Sequence, residues 1–253
     1  MWRASLCLLL SLLLATSARA AEAPQIGAED DWYPYSGLRD GRLGGMAVDI
    51  VRAAFKASGT EVGLTSYPYS RCMHLAQNGV LAGCFNTTPT EQTRRLYRLS
   101  TEPLFTDDIL IWSRREQSKP LSGLDDLQGK RVAVTLGYEY GPAFDGYTDL
   151  MRIAVRQDLF GFRMLERGRV DHVIAFRGTS EQLFRDKPEL ANLFTPVYLA
   201  HRAELHLSFS RRHPQAEQLL ARFDEGMRQI RRNGRYDEII WLWRHPATAA
   251  ASH

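Results

Sequence analysis

Residues 126–137 read DLQGKRVAVTLG and contain the pattern that decides the fold class of this chain. Within them, residues 131–136 form a short run of apolar and β-branched side chains between a lysine and a glycine, which is typical of a buried strand. Residues 157–167 have helical spacing and end at Gly168, and residues 170–176 (VDHVIAF) form a second strand-like run. The order strand, helix, strand predicts an α/β protein.

The same alternation continues on both sides of this segment. Strands are predicted over 80–85, 108–113 and 204–210, and helices over 46–57, from Pro214 to Gly234, and around Ile239, Ile240 and Trp243. In the strand over 204–210, Leu205, Leu207 and Phe209 share one face while polar residues occupy the other. Alternation over more than 200 residues predicts α/β architecture in two lobes.

Composition places the chain among ordinary globular proteins. Of its 253 residues, 44% are hydrophobic and 24% are charged, which excludes a disordered tail, a collagen-like fibre and a disulfide-dense miniprotein. The formal net charge is +3, and the arginines over 222–235 are interleaved with acidic residues, as on a solvated helix face. We therefore expect no nucleic-acid partner.

The N-terminus predicts export. After Trp2 and Arg3 comes an apolar run over 6–15, followed by Ala18-Arg19-Ala20. A positive start, about ten apolar residues and an A-x-A site together predict a signal peptide over 1–20, cleaved after Ala20. The apolar run is too short to span a bilayer, which needs roughly 20 residues, although an uncleaved anchor is the alternative. At the other end, residues 246–253 are predicted to form a flexible tail.

Cleavage would remove Cys7 and leave Cys72 and Cys84. The compartment reached after export is oxidising, and a helix-turn-strand between the two cysteines can bring their Cα atoms within the roughly 4.4–6.8 Å that a disulfide requires. We expect a disulfide between them. Two buried thiols are the alternative.

A series of motifs runs through the predicted mature chain in order. They are Asp31-Trp32-Tyr33-Pro34-Tyr35, Gly44-Gly45, Tyr67-Pro68-Tyr69-Ser70-Arg71, Thr88-Pro89-Thr90-Glu91, the segment 126–134 with Gly137, Gly168-Arg169-Val170-Asp171, and the segment 230–243. In this order and spacing the motifs resemble those of the family 3 bacterial extracellular solute-binding proteins. These are periplasmic receptors for amino-acid ABC importers, and the likeness covers essentially the whole mature chain.

The resemblance implies a two-lobe Venus-flytrap fold of the periplasmic-binding-protein type II, in which the chain crosses between lobes twice. Lobe 1 is expected over 22–112 plus 204–245, and lobe 2 over 113–203. The ligand would bind in the cleft between the lobes and be enclosed by hinge closure.

The resemblance also implies a set of first-lobe ligand groups. Arg94 is the candidate to grip an α-carboxylate, because an arginine fork donates two parallel hydrogen bonds. The family pattern T-x-x-R is one residue longer here, which leaves Arg95 as the alternative and a surface arginine as the plain structural role. Asn86 and Thr88 lie where relatives present polar groups to the ligand, although capping or turn bonding before Pro89 competes with that role.

Aromatic and second-lobe positions complete the predicted site. Trp32 and Tyr69 match aromatic positions of the cleft wall, with ordinary core packing as the competing role. Arg71 is expected to line the pocket or to pair with an acid. Where relatives carry Ser or Thr after Gly137, this chain has Tyr138 and Glu139, and a glutamate there would repel a carboxylate but can hold an ammonium.

One departure from the family pattern puts a standard α-amino acid in doubt as the ligand. Relatives that clamp an α-ammonium carry an acid about five residues after the aspartate of G-x-V-D, and this chain has Phe176 there. Asp171 itself is expected to be structural. Glu139 could replace the missing acid from another side.

From these observations we predict a monomeric receptor, not an enzyme, for a small polar, amino-acid-like molecule that it hands to a membrane ABC permease. No cofactor and no metal site are predicted, because the histidines and cysteines lack ligand spacing. Two alternatives stay open: a cyclic-carboxylate dehydratase-like enzyme on the same fold, and a sensing module for a membrane kinase.

Overall fold

A computed structural model describes residues 23–245 of the chain. The predicted signal peptide over 1–20 and the predicted tail over 246–253 lie outside the described residues, and both stay predictions. Between residues 23 and 245, no helix has the length and apolar character needed to cross a membrane.

Strands and helices alternate along the described chain, which confirms the α/β class. The strands are β1 (Gln25–Glu29), β2 (Asp31–Trp32), β3 (Ser36–Arg39), β4 (Arg42–Gly44), β5 (Gly63–Tyr67), β6 (Gly83–Thr87), β7 (Tyr97–Leu99), β8 (Phe105–Arg114), β9 (Arg131–Thr135), β10 (Met151–Val155), β11 (His172–Phe176) and β12 (Phe194–Ser210). The helices are α1 (Met46–Ala57), α2 (Tyr69–Gln77), α3 (Glu91–Leu96), α4 (Pro142–Gly146), α5 (Asp158–Glu166), α6 (Arg177–Asp186), α7 (Ala216–Arg232) and α8 (Arg235–Arg244). Short 3₁₀ turns lie at Arg115–Gln117, Leu124–Leu127 and Pro188–Leu190.

Two groups of parallel strands define the two lobes. In the first lobe, β1 lies between β5 and β6 and is parallel to both. In the second lobe, β9 lies between β10 and β11, again in parallel. Parallel strands of one sheet need crossover connections, and α2 connects β5 to β6 past the intervening β1, as α5 connects β10 to β11 past β9.

Two long strands connect the lobes. β8 and β12 are antiparallel neighbours from the pair Phe105–Leu205 to the pair Arg114–Phe194. The end of β12 pairs with β6 of the first lobe, and β8 pairs with β11 of the second. The chain therefore crosses between lobes twice along this ladder. The predicted change of lobe at 112–113 falls inside β8, and the lobe boundaries stay a prediction.

Helix α1 has the predicted bounds because its apolar residues recur on one buried face. The ring of Phe55 lies 5.3 Å, centroid to centroid, from Phe223 of α7. At the contact between the two helices, a Cβ atom on Gly226 would lie 1.8 Å from the carbonyl oxygen of Ala54. Glycine is required at this crossing because a side chain would overlap the backbone of α1.

Two predicted strands differ from the observed ones. The strand predicted over 80–85 begins instead at Gly83, because Val80 lies exposed in the turn that follows α2. The strand predicted over 204–210 is only the end of β12, which begins at Phe194. The earlier part of β12 pairs with β8 through two register shifts, and these interrupt the two-residue alternation that marks a strand in the sequence.

Candidate functional site in the cleft

Residues from both lobes enclose a small cavity in the cleft. Its lining consists of Glu29, Trp32, Tyr69, Asn86, Thr88, Tyr138, Glu139 and Phe176. Six of the eight predicted ligand-binding residues are therefore brought together: Trp32, Tyr69, Asn86, Thr88, Tyr138 and Glu139. The enclosed volume is about 10 Å³, roughly what one water molecule needs.

The lining residues lie where parallel strands end. Glu29 is the last residue of β1, and Asn86 is near the end of β6. In the second lobe, Phe176 is the last residue of β11, while Tyr138 and Glu139 follow β9. In open α/β sheets, ligands bind in the crevice outside the carboxyl ends of strands, and this cavity has that position in both lobes.

Four aromatic rings form the walls of the cavity. Trp32 makes edge-to-face contacts with Phe176, at a centroid distance of 4.9 Å, and with Tyr138, at 6.3 Å. Tyr69 and Tyr138 are also edge to face, 5.6 Å apart. This arrangement is the favourable one for aromatic pairs, so the rings hold one another in place across the cleft.

Two hydrogen bonds cross the cleft in opposite directions. The hydroxyl of Tyr138, from the second lobe, donates to Oε1 of Glu29 in the first. The hydroxyl of Tyr69, from the first lobe, donates to Oε2 of Glu139 in the second, at 2.9 Å. Each lobe thus supplies one tyrosine and one carboxyl group, and the two bonds close the cleft.

Both carboxyl groups have raised pKa values. Burial raises the pKa of Glu139 from 4.5 to about 8, although the hydrogen bond from Tyr69 opposes the shift. Burial also raises the pKa of Glu29 well above its ordinary value, with a further contribution from the charge of Asp158, against the hydrogen bond from Tyr138. At neutral pH, Glu139 is therefore protonated in this closed cleft.

Asn86 combines an unusual backbone with an unpaired side chain. Its φ angle is +73°, in the left-handed region that few residues other than glycine adopt. Its side chain is only 5% exposed, yet neither the amide nitrogen nor the amide oxygen has a hydrogen-bond partner within the described residues. Buried polar groups are almost always paired, so this amide is available to a bound molecule.

The arginines predicted to grip a carboxylate lie outside this cavity. Arg94 and Arg95 lie exposed on α3 and do not line the cavity. Thr93 is buried instead, and its hydroxyl accepts from the Thr90 amide at 2.7 Å and donates to the Thr88 carbonyl oxygen at 3.0 Å. Counted from Thr90, the last position of T-x-x-R is therefore Thr93, so the chain has a threonine where the pattern has arginine.

Arg71 also lies outside the cavity. It is exposed on α2, with its guanidinium carbon 5.8 Å from the centre of the Tyr67 ring. Asp171 accepts hydrogen bonds from Arg131, which hold the pKa of Asp171 at about 2. Asp171 therefore has the structural role that the sequence predicted.

The sequence did not identify Glu29 as a site residue. It identified Phe176 only as the residue that stands where relatives have an acid for the α-ammonium. Strand β1 was not predicted, so nothing placed Glu29 at a strand end. The available signal is the short apolar run before Glu29 and the acidic Asp30 and Asp31 after it.

A larger cleft of about 570 Å³ adjoins the cavity. Glu29, Tyr69 and Tyr138 belong to both spaces. The charged residues of the larger cleft are Glu29, Asp30 and Asp31 against Arg156. The approach to the cavity is therefore acidic.

The predicted disulfide is present. Sγ of Cys72 on α2 is bonded to Sγ of Cys84 on β6. The bridge lies against β1, where a Cβ atom on Gly27 would be 2.3 Å from the Cys72 sulfur. It ties the helix that begins at Tyr69 to the strand that contains Asn86, and so joins two walls of the cavity.

Among residues 23–245, no three His, Cys, Asp or Glu side chains are grouped so as to hold a metal ion.

Comparisons with known proteins agree with the geometry. The model of the bacterial extracellular solute-binding proteins, family 3, matches residues 25–245. The putative amino-acid ABC transporter-binding protein PatH of Vibrio harveyi is 23% identical over 174 residues, which cover 68% of this chain and 70% of PatH.

Two solved structures show the fold at low identity. A histidine kinase sensor domain with similarity to periplasmic binding proteins superposes with a TM-score of 0.77 at 24% identity, covering 87% of this chain and 95% of that one. The ancestral amino acid-binding protein AncCDT-1, a precursor of cyclohexadienyl dehydratase, gives 0.72 at 19% identity, covering 87% and 94%. The family match spans nearly all of the described residues, and the chain belongs to the bacterial extracellular solute-binding proteins of family 3.

Proposed function

We propose that this protein is a periplasmic receptor that captures a small polar, amino-acid-like ligand between its lobes and delivers it to a membrane ABC permease. The observation that carries the proposal is the cavity, which is lined from both lobes and closed by reciprocal tyrosine–carboxyl bonds. A ligand that contacts both lobes favours the closed state, because it makes those contacts only there.

The transport role draws on the relatives. The family consists of extracellular solute-binding proteins, and the name of PatH describes an amino-acid ABC transporter-binding protein. We extend both statements to this chain, together with the predicted signal peptide over 1–20 and a monomeric state. The permease is the partner that this role requires.

Glu139 favours a second candidate, a cyclic-carboxylate dehydratase-like enzyme. A carboxyl group with a pKa of about 8 is protonated at neutral pH and can act as a general acid. The similarity to AncCDT-1 supports the same candidate at the level of the fold. Turnover of a cyclic carboxylate that disappears in Glu139→Gln would establish the enzyme, whereas stoichiometric binding without turnover would exclude it.

The third candidate is a ligand-sensing module for a membrane kinase, supported by the fold of the histidine kinase sensor domain. Lobe closure would serve both roles, so uptake has to be measured in cells. Loss of ligand uptake when this protein is deleted supports the importer, and unchanged uptake contradicts it.

The receptor proposal is tested by a thermal-shift screen of amino acids, amines and aromatic acids, followed by calorimetric titration. A ligand at 100 times its dissociation constant raises the free energy of unfolding by about 2.7 kcal/mol. We expect one ligand per chain and at least about tenfold weaker binding by Asn86→Gly, since glycine keeps the left-handed backbone but removes the unpaired amide.

Asp40→Gly is the matched control. Asp40 is the other non-glycine residue with positive φ in the described chain, at +52°, and it lies exposed in a turn away from the cavity. Equal affinity in Asn86→Gly and Asp40→Gly would contradict binding in this cavity.

A further inference from the structure

We propose that the ligand is an organic amine cation that carries no carboxylate, held between Glu29 and Glu139 inside aromatic walls. The inference rests on the proposed function, because it names the class of ligand that the receptor captures. It departs from a standard α-amino acid, which has a carboxylate as well as an ammonium group.

The charged groups that line the cavity are the first reason to expect an amine. The residues that line the cavity include two carboxyl groups, one from each lobe, and no basic side chain. The position at which the family pattern has arginine holds Thr93, and the neighbouring Arg94 and Arg95 are exposed. A ligand carboxylate would be buried beside Glu29 and Glu139 without an opposite charge, which is strongly unfavourable.

The aromatic walls of the cavity are the second reason, because aromatic rings attract cations. Trp32, Tyr69, Tyr138 and Phe176 line the same cavity as Glu29 and Glu139. The face of an aromatic ring attracts a cation within about 6 Å of its centre, by about 0.5–2 kcal/mol depending on desolvation, and tryptophan is the best of these rings. Phe176 also occupies the position of the expected ammonium clamp, so ring faces and Glu139 replace that acid.

The third and independent reason is that two buried side chains of the cavity have polar atoms without hydrogen-bond partners in the described part of the chain. Both polar atoms of the Asn86 side chain and Nε1 of Trp32 lack hydrogen-bond partners among residues 23–245, and the two residues are 5% and 3% exposed. An unpaired buried polar atom costs about 1–3 kcal/mol. The amide oxygen of Asn86 can accept a hydrogen bond from an ammonium group, so these residues point to a bound polar molecule as well as to a cation.

The residues of the larger cleft, through which a ligand would reach the cavity, also favour a cation. Three acidic residues, Glu29, Asp30 and Asp31, face a single arginine in the larger cleft. A cleft lined by one sign of charge concentrates ligands of the opposite sign and speeds their association. An amine that reaches the cavity must displace the tyrosine hydroxyls from Glu29 and Glu139, because the closed volume is only about 10 Å³.

The test uses pairs of probes that differ by one carboxylate. These are 2-phenylethylamine with phenylalanine, 1,5-diaminopentane with lysine, and agmatine with arginine, each titrated calorimetrically at low salt into the purified protein. We expect at least one amine to bind about tenfold or more tightly than its amino-acid partner.

Three variants locate the interaction. Glu29→Gln and Glu139→Gln each replace a carboxyl group that can ionise beside a bound ammonium with an amide that cannot, and each should weaken amine binding by at least about tenfold. Glu217→Gln removes a charge from an exposed residue of α7, paired there with Arg98, and should leave the affinity unchanged. Circular dichroism of each variant checks that it is folded.

The outcomes separate the two proposals. Tighter binding of the amino acid in every pair that binds would overturn the amine inference while leaving the receptor standing. Amine binding that survives in both glutamine variants would also overturn it. If none of the six probes binds, the amine inference is rejected, and the receptor proposal is then decided by the wider ligand screen.

Discussion

At the scale of single residues, Glu139 is a group whose protonation the proposed amine ligand would change. Besides burial, the titratable groups that influence its pKa are Tyr69, which donates a hydrogen bond to it and lowers the pKa, and Asp145, whose charge raises it. Burial raises the pKa of Glu139 to about 8 in the closed cleft without ligand. An ammonium group beside it would lower that pKa again, because an opposite charge favours the carboxylate.

Amine binding should therefore release up to one proton from Glu139 between pH 4.5 and about 8. In that window the affinity should rise with pH by up to about tenfold per pH unit, and it should level off above pH 8. Calorimetric titrations in two buffers with different ionisation enthalpies count the protons. Glu139→Gln should release up to one proton fewer than the natural chain, and equal proton release by the two would contradict the assignment.

Glu139 and Glu29 also show which site residues a sequence can reveal. Glu139 was predicted because it follows Gly137, so it departs from the family pattern at a recognisable position. Glu29 has no such local mark, since its partner Tyr138 lies 109 residues further along the chain and reaches it only across the closed cleft. A contact of that separation depends on the relative position of the lobes, which residue spacing does not contain.

At the scale of elements, the crossing of α1 and α7 depends on one glycine. A Cβ atom on Gly226 would meet the backbone oxygen of Ala54 at 1.8 Å, and a backbone atom cannot turn aside as a side chain can. We expect Gly226→Ala to lower the free energy of unfolding by about 3 kcal/mol, near the upper end for an overpacked contact.

Urea unfolding of the purified variant measures this loss. Gly146→Ala is the control, because a Cβ atom there would have no neighbour within 4 Å. A difference of less than about 1 kcal/mol between the two variants would show that the helices can separate at little cost.

Helix α3 shows that a motif can be located from the sequence while the residue that faces inward is not. The sequence around Thr90 indicated the correct motif, but two candidate arginines followed it and neither is the residue that faces inward. Thr93 takes that place because its hydroxyl and that of Thr90 cap the helix reciprocally, and this pairing fixes which side of α3 is buried. By contrast, α1 was predicted to the residue, since its single apolar face leaves one way to pack.

At the scale of the whole molecule, Asp107 joins the connecting strand β8 to Tyr35 and to the start of α6. It lies on the connecting strand β8 and accepts hydrogen bonds from the Tyr35 hydroxyl at 2.9 Å and from the amide of Gly178, in the first turn of α6, at 3.1 Å. Burial raises the pKa of Asp107 to about 6, and the neighbouring charge of Asp108 adds to that, against the two hydrogen bonds and one from the Asp108 amide.

A raised carboxyl pKa in the folded state means that folding takes up a proton. The contribution of Asp107 to stability is therefore complete below pH 3.8 and is lost as the pH rises through about 6. We expect Asp107→Asn to flatten the pH dependence of the unfolding free energy over this window, as measured by urea titration at pH 4, 5, 6 and 7. Asp237→Asn, on the exposed side of α8, should leave the slope as it is, and an unchanged slope in Asp107→Asn would contradict the assignment.

The two-lobe architecture was the most predictable part of the molecule, because the order of several motifs along the chain carries it. The extent of β12 was the least predictable, since its first half is stabilised by β8 and not by its own alternation. The residue of β8 at which the first lobe ends depends on which residues move together on closure, as well as on which strands β8 pairs with.

For the proposed exported receptor, formation of the Cys72–Cys84 bridge determines when the binding site is complete. Chains still in the cytoplasm would have reduced thiols, so the covalent link between the two walls that carry Tyr69 and Asn86 would form only after the proposed export. We expect the ligand-ready arrangement to be completed by oxidative maturation after export. A receptor matured in this order would not sequester its own ligand inside the cell that makes it.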